Sequence, residues 1–132
     1  MYLTEKERVW APTLWRALQV GTQTWESELS KETGRIQGIN ERVTSAAADA
    51  VTAATIQAEK EGVSARLDYV QLNWADTLEP VGDIEPSAGS SEELESVGER
   101  AVILSGAMWV GRTRLIDNII LGRGDVVNRI IS

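Results

Sequence analysis

Apolar positions recur at three- and four-residue intervals through the first part of the chain and then switch to alternation. Thr4 followed by Glu7 has the spacing of a capping box, which predicts a helix from Glu5. Trp10, Leu14, Leu18, Trp25 and Leu29 fall on one helical stripe with Gly21 in line, and Trp15 lies one residue off it. Such a stripe reads as a packed core face rather than an aromatic ligand box. Pro12 lies beyond the first turn, so a kink near Arg8 is expected, and Gly21 either ends the helix or weakens it. A second helix is expected from about Arg35 to Glu61. Its apolar side is Ile36, Ile39, Val43, Ala47, Ala50, Ala54 and Ala58, and its many alanines let a neighbouring helix approach closely. Gly62 stands where a left-handed C-cap belongs. The two segments predict an antiparallel pair.

Ala65 to Leu72 alternates β-forming and polar residues, the pattern of a half-buried strand. Asp76 to Pro80 reads as a capped single turn. Ala101 to Val110 is apolar on both faces, with Val102, Leu104, Met108 and Val110 on one and Ile103, Ala107 and Trp109 on the other. That composition predicts a strand covered on both sides. Gly111-Arg112 suits a tight turn with glycine first, and Thr113 to Leu121 then returns antiparallel, closed by Gly122 and Gly124. Val126 to Ile131 is a short apolar tail, either strand or helix. The expected fold is α+β: an N-terminal helix pair, then a small, mainly antiparallel sheet of three strands, as one domain over residues 1–132. The sheet has surplus apolar surface. One face is left for the tail, the acidic loop, a second copy or another domain.

Charge changes this picture in one place. The net charge is −7, yet eight acids and no Lys or Arg fall between Asp76 and Glu99, so the remainder sums to +1. With Pro80, Pro86 and several Gly and Ser, residues 76–99 read as a solvated acidic loop. The net charge argues against nucleic acid or an anionic membrane as partner. No stretch reaches the roughly 20 apolar residues of a membrane helix, and the charged start lacks a signal-peptide core, so a cytoplasmic protein is expected.

Composition excludes most catalytic chemistry. The chain has no cysteine and no histidine, which removes thiol nucleophiles, the usual transition-metal ligands and the commonest general base. No glycine-rich phosphate loop is present, the acidic loop lacks calcium-loop spacing, and nothing selects a carboxylate pair. No catalytic or metal-ligating residue is therefore assigned. What remains is the hairpin Gly111-Arg112-Thr113-Arg114-Leu115-Ile116-Asp117-Asn118. Arg114 and Asn118 share one face and Asp117 takes the other, where an inward carboxylate needs an Arg or backbone donor. Gly111, Asp117 and Asn118 read as structural. Arg112 and Arg114 are the candidates for contact with an anionic substrate or a neighbouring domain.

Thr113-Arg114-Leu115-Ile116-Asp117-Asn118, after an apolar strand and Gly111, resembles the closing motif of the pantothenate synthetase (pantoate–β-alanine ligase) family. Tyr2-Leu3 with Glu7-Arg8, then Ala17-Leu18, is similar to the start of that family's C-terminal domain, and Asp68-Tyr69-Val70 followed by Leu78-Glu79-Pro80 to its strand and following turn. The resemblance runs from Tyr2 to about Leu121, with Gln23–Gly34 and the acidic loop looking like insertions. It implies an ATP- and magnesium-dependent ligase. Pantoate attacks the α-phosphate of ATP, and β-alanine displaces AMP from the resulting pantoyl adenylate. It also implies a Rossmann-type nucleotide-binding N-terminal domain, followed by a small C-terminal lid. In the family, the two histidines that stabilise the transferring phosphate, and a Ser-Arg-Asn stretch before the Tyr-Leu pair, lie outside what this sequence contains. No cofactor is assigned to this chain. Its expected partner is the N-terminal domain of the same enzyme, and it is expected to be inactive alone. The alternative is a non-enzymatic module that uses its apolar sheet face to self-associate as a homo-oligomer.

Overall fold

The structure is a computed structural model that describes residues 3–30, 36–84, 100–123 and 126–130. Its elements in order are α1 (Glu5–Arg8), α2 (Thr13–Leu29), α3 (Ile39–Lys60), β1 (Ala65–Trp74), β2 (Val102–Val110), β3 (Thr113–Arg123) and β4 (Val126–Ile130). The strands form one antiparallel sheet in the order β1-β2-β3-β4. This is the expected α+β arrangement, with the three expected strands in place and the tail added as a fourth. Arg35, residues 85–99, Gly124 and Ile131 lie outside the described residues.

The capping box forms as expected. The Glu7 N–H donates to Thr4 Oγ1 at 3.2 Å, and the Thr4 N–H donates to Glu7 Oε1 at 2.8 Å. Pro12 then does more than kink the first helix. Lacking an N–H, it cannot continue the ladder, and the chain crosses the gap on three-residue bonds (Trp10 N–H to Glu7 O, Ala11 N–H to Arg8 O) before α2 begins at Thr13. Gly21 does not end α2, which runs on to Leu29. It lies where α2 crosses both α3 and the sheet: a Cβ there would meet Leu104 Cδ2 at 2.7 Å, Ala47 Cβ at 3.4 Å and the Val43 carbonyl at 3.4 Å. The small residue is therefore a packing requirement. α3 ends as its sequence indicates. Gly62 is left-handed (φ 82°), its N–H bonds Glu59 O and the Val63 N–H bonds Ala58 O, the double bond of a Schellman end.

The core lies between the helices and one face of the sheet. Leu14, Leu18, Trp25, Ile39, Val43 and Val51 pack on Leu72, Val102, Leu104, Met108, Ile119 and Leu121. The expectation that β2 is covered on both faces needs correction. Val102, Leu104, Met108 and Val110 are buried under the helices; on the opposite face Ala107 is buried, but Ile103 and Trp109 are only partly so. No second layer covers that face among the described residues. Its hairpin end is instead shielded by guanidinium groups over rings, Arg66 over Trp109 at 5.4 Å and Arg114 over Tyr69 at 5.8 Å. No helix among the described residues is long and apolar enough to cross a membrane.

The two ends of the acidic stretch are joined at its neck. Arg100 donates from Nε to Asp76 Oδ2 at 3.1 Å and from a terminal nitrogen to Oδ1 at 3.0 Å, and its guanidinium lies 4.0 Å from the Trp74 ring centre. The Ala75 N–H bonds Ala101 O alongside. The hydrogen bond from Arg100 holds the Asp76 carboxyl below its ordinary value of 3.8. A depressed carboxylate contributes stability that is present above its unfolded pKa and is lost as pH falls through the folded value. Asp76→Asn is therefore expected to lower the melting temperature slightly at neutral pH, since the pair is exposed, and to match the parent once pH falls below about 4. Thermal melts of both proteins across that range check this.

Candidate functional site

The β2–β3 hairpin carries the sequence candidates. Gly111 has φ 59° and no positive φ occurs at Arg112, which fits a two-residue turn of type II′ with glycine first. The Gly111 N–H donates to Ser64 O at 2.8 Å. The Glu7 carboxylate of α1 presses on Gly111: a Cβ at that position would lie 1.9 Å from Glu7 Oε2. So the turn is the seat of α1 as well as the end of the strands. Gly111→Val combines a disfavoured left-handed backbone with displacement of the capping carboxylate. It is expected to destabilise by about 2 kcal/mol, readable as a lowered denaturant midpoint at unchanged slope.

The two arginines separate in role. Arg114 is engaged on the outer sheet face. Its Nε donates to Asp68 Oδ2 at 2.9 Å and a terminal nitrogen lies 2.7 Å from the same oxygen, while the guanidinium sits over Tyr69. Arg112 is exposed at the tip of the turn, and no ion pair or stacked ring is formed by it among the described residues. Of the two, Arg114 is already paired with a carboxylate, whereas Arg112 forms no ion pair among the described residues. Asp117 points to the helix side, and its Oδ1 accepts the Asn118 N–H at 2.9 Å, which supplies the backbone donor that an inward carboxylate needs. Asn118 lies on the outer face opposite Ser105, and its Oδ1 is buried without a donor among the described residues.

A cleft of about 460 Å³ runs beside this strand. One wall is Ala11, Pro12, Leu14 and Trp15, where the chain passes from α1 to α2; the other is Arg114, Leu115, Ile116 and Asp117 of β3. Sequence pattern did not find the Asp68 and Tyr69 partners of Arg114. They reach it because β1 has a register shift between Leu67 and Tyr69, and no glycine or proline marks that bulge. Nor did it find the cleft wall, which depends on Pro12 forcing the break between α1 and α2. Among the described residues no three His, Cys, Asp or Glu side chains gather as metal ligands.

Comparison with known proteins places these features in a family. A family model described as pantoate-β-alanine ligase matches residues 1–120. The chain is 36% identical over 127 residues to the pantothenate synthetase of Moorella thermoacetica, covering 94% of this chain and 33% of that protein. It is 30% identical over 122 residues to the pantothenate synthetase of Pseudothermotoga lettingae, covering 92% of this chain and 33% of the relative. The pantothenate synthetase of Clostridium novyi gives 30% over 125 residues, again with 33% of its length covered. The chain thus spans about a third of the length of the curated relatives it matches.

Proposed function

This chain belongs to the pantoate–β-alanine ligase family, and from that premise we propose that it acts as the C-terminal lid of such an enzyme. The observation that carries the reading is a family match over residues 1–120 in a chain one-third as long as its relatives and containing no histidine. In this reading the remaining two-thirds holds ATP and pantoate, and this chain closes over them. Closure excludes water from the acyl-adenylate, which would otherwise hydrolyse before β-alanine attacks it. The described residues do not fit a magnesium site, so the proposed role of this chain does not run through the metal. The residue it would present to the anionic substrates is Arg112. Arg114 supports the hairpin from behind through Asp68 and Tyr69. A cytoplasmic location belongs with the same reading.

The transition state of adenylate formation needs preorganised positive charge around the transferring phosphoryl group, and that electrostatic contribution usually dominates such catalysis. One exposed arginine on a hairpin tip does not supply it. The purified chain is therefore expected to release no AMP from ATP, pantoate and β-alanine. Adding the remaining two-thirds of the Moorella thermoacetica relative, expressed separately, is expected to produce AMP. AMP release by the chain alone would overturn the reading. A chain that is inactive in both settings but a stable oligomer by light scattering would favour self-association through the half-covered outer sheet face.

A further inference from the structure

The sheet treats its two edges differently. Beside β1 the chain returns through residues 79–84: Trp74 N–H bonds Glu79 O, Val81 N–H bonds Leu72 O, and the Asn40 amide donates to both the Leu72 and Val81 carbonyls at 3.1 and 2.8 Å. That edge is covered from Leu72 to Trp74. At the other edge β4 pairs with β3 only from Asn118 onward. Residues 113–116 have no strand on that side among the described residues, and the cleft runs along them. Exposed strand edges are usually guarded by proline, lysine, a bulge or a covering segment. Here the two outward side chains are Arg114, already held by Asp68, and Ile116, which is apolar and 55% exposed. Leu115 points the other way, towards Leu14 and Trp15 across the cleft.

We infer that residues 113–116 of β3 take an added strand from the nucleotide-binding part of the enzyme, laid in the cleft against Pro12 and Trp15. This rests on the lid reading above. Two observations select that occupant. Two-thirds of each relative's length lies outside this chain. And Glu7 of α1 lies against Gly111, two residues before β3 begins, so α1 sits at the hairpin end of the open edge. An added strand lies about 4.8 Å from its neighbour and satisfies alternate backbone groups, while the cleft buries its alternate side chains. Backbone bonds alone contribute modestly, so Ile116 and the cleft wall must supply the burial.

Amide hydrogen exchange tests this on a fusion in which the chain replaces the matching third of the Moorella thermoacetica relative. Amides within residues 113–116 are expected to exchange at least about tenfold more slowly in the fusion than in the isolated chain. Ile116→Lys is expected to remove that protection with the melting temperature unchanged, and Ile56→Lys, at a comparably exposed site on α3, to leave it intact. A fusion that releases AMP with residues 113–116 unprotected would sink the added strand and leave the lid reading standing. A folded fusion that releases no AMP and shows no protection would sink both. Protection in the isolated chain that grows with its concentration would assign the edge to a second copy and overturn the inference.

Discussion

Gly21→Val is expected to cost about 3 kcal/mol and to lower the melting temperature by roughly 10 °C. Helix propensity acts the other way, since glycine in a helix interior is worse than alanine by up to about 1 kcal/mol. Packing decides the sign. A single added carbon would stand 2.7 Å from Leu104 Cδ2, and Leu104 is itself fully buried in the core. The Val43 carbonyl and Ala47 Cβ, both at 3.4 Å, are fixed by the α3 backbone. α2 would have to lift from both α3 and β2, opening the centre of the core. Gly21→Ala should fall between the two proteins, because its propensity gain offsets part of a smaller clash. A melting temperature for Gly21→Val equal to that of the parent would show that α2 does not cross where the structure places it.

Trp25 gives the second strong expectation, and it has a built-in contrast. The indole is 1% exposed, among the largest fully buried side chains, and its Nε1–H has no acceptor among the described residues. Trp25→Ala removes the ring and leaves a cavity, at a cost of about 3–5 kcal/mol. Trp25→Phe removes less volume and also removes the unsatisfied donor, whose burial costs roughly 1–3 kcal/mol. The phenylalanine variant is therefore expected to be within about 1 kcal/mol of the parent, a smaller loss than volume alone would give. Urea unfolding of the three proteins measures both differences. A phenylalanine variant as unstable as the alanine one would mean that the indole N–H is satisfied in solution.

Much of the architecture was legible because local rules and tertiary packing agree. Thr4 with Glu7, Gly62 and Gly111 each fix an element boundary through one backbone requirement, and all three stand where pattern placed them. The helix stripe from Leu14 to Trp25 and the alternation in β1 and β3 give the core face directly. What pattern missed depends on interactions far apart in sequence. Gly21 looks like a helix weakness until Leu104 and Ala47 are seen against it. The apolar outer face of β2 suggested a second layer. Arg66 and Arg114 shield one end of it instead, Arg66 over a ring of the adjacent strand and Arg114 over a ring two strands away. In the candidate site the split between Arg112 and Arg114 was invisible, since it turns on a bulge in β1 that swings Asp68 towards β3. The resemblance carried by Thr113 to Asn118 did locate the family that the comparisons then established.

A single physical thread joins these parts to the proposed role. Pro12 breaks the first helix, so α1 folds back onto Gly111 and a cleft opens beside β3. Asp68 and Tyr69 hold Arg114, so the hairpin is braced while Arg112 projects from its tip. Asp76 and Arg100 join the two ends of the acidic stretch at the opposite end of β2.

The most direct test is AMP release by the fusion with the Moorella thermoacetica relative, measured beside the same relative lacking that third. The account predicts ATP- and pantoate-dependent AMP release from the fusion and little from the shortened protein. A shortened protein as active as the fusion, or a folded fusion with no activity, would contradict it.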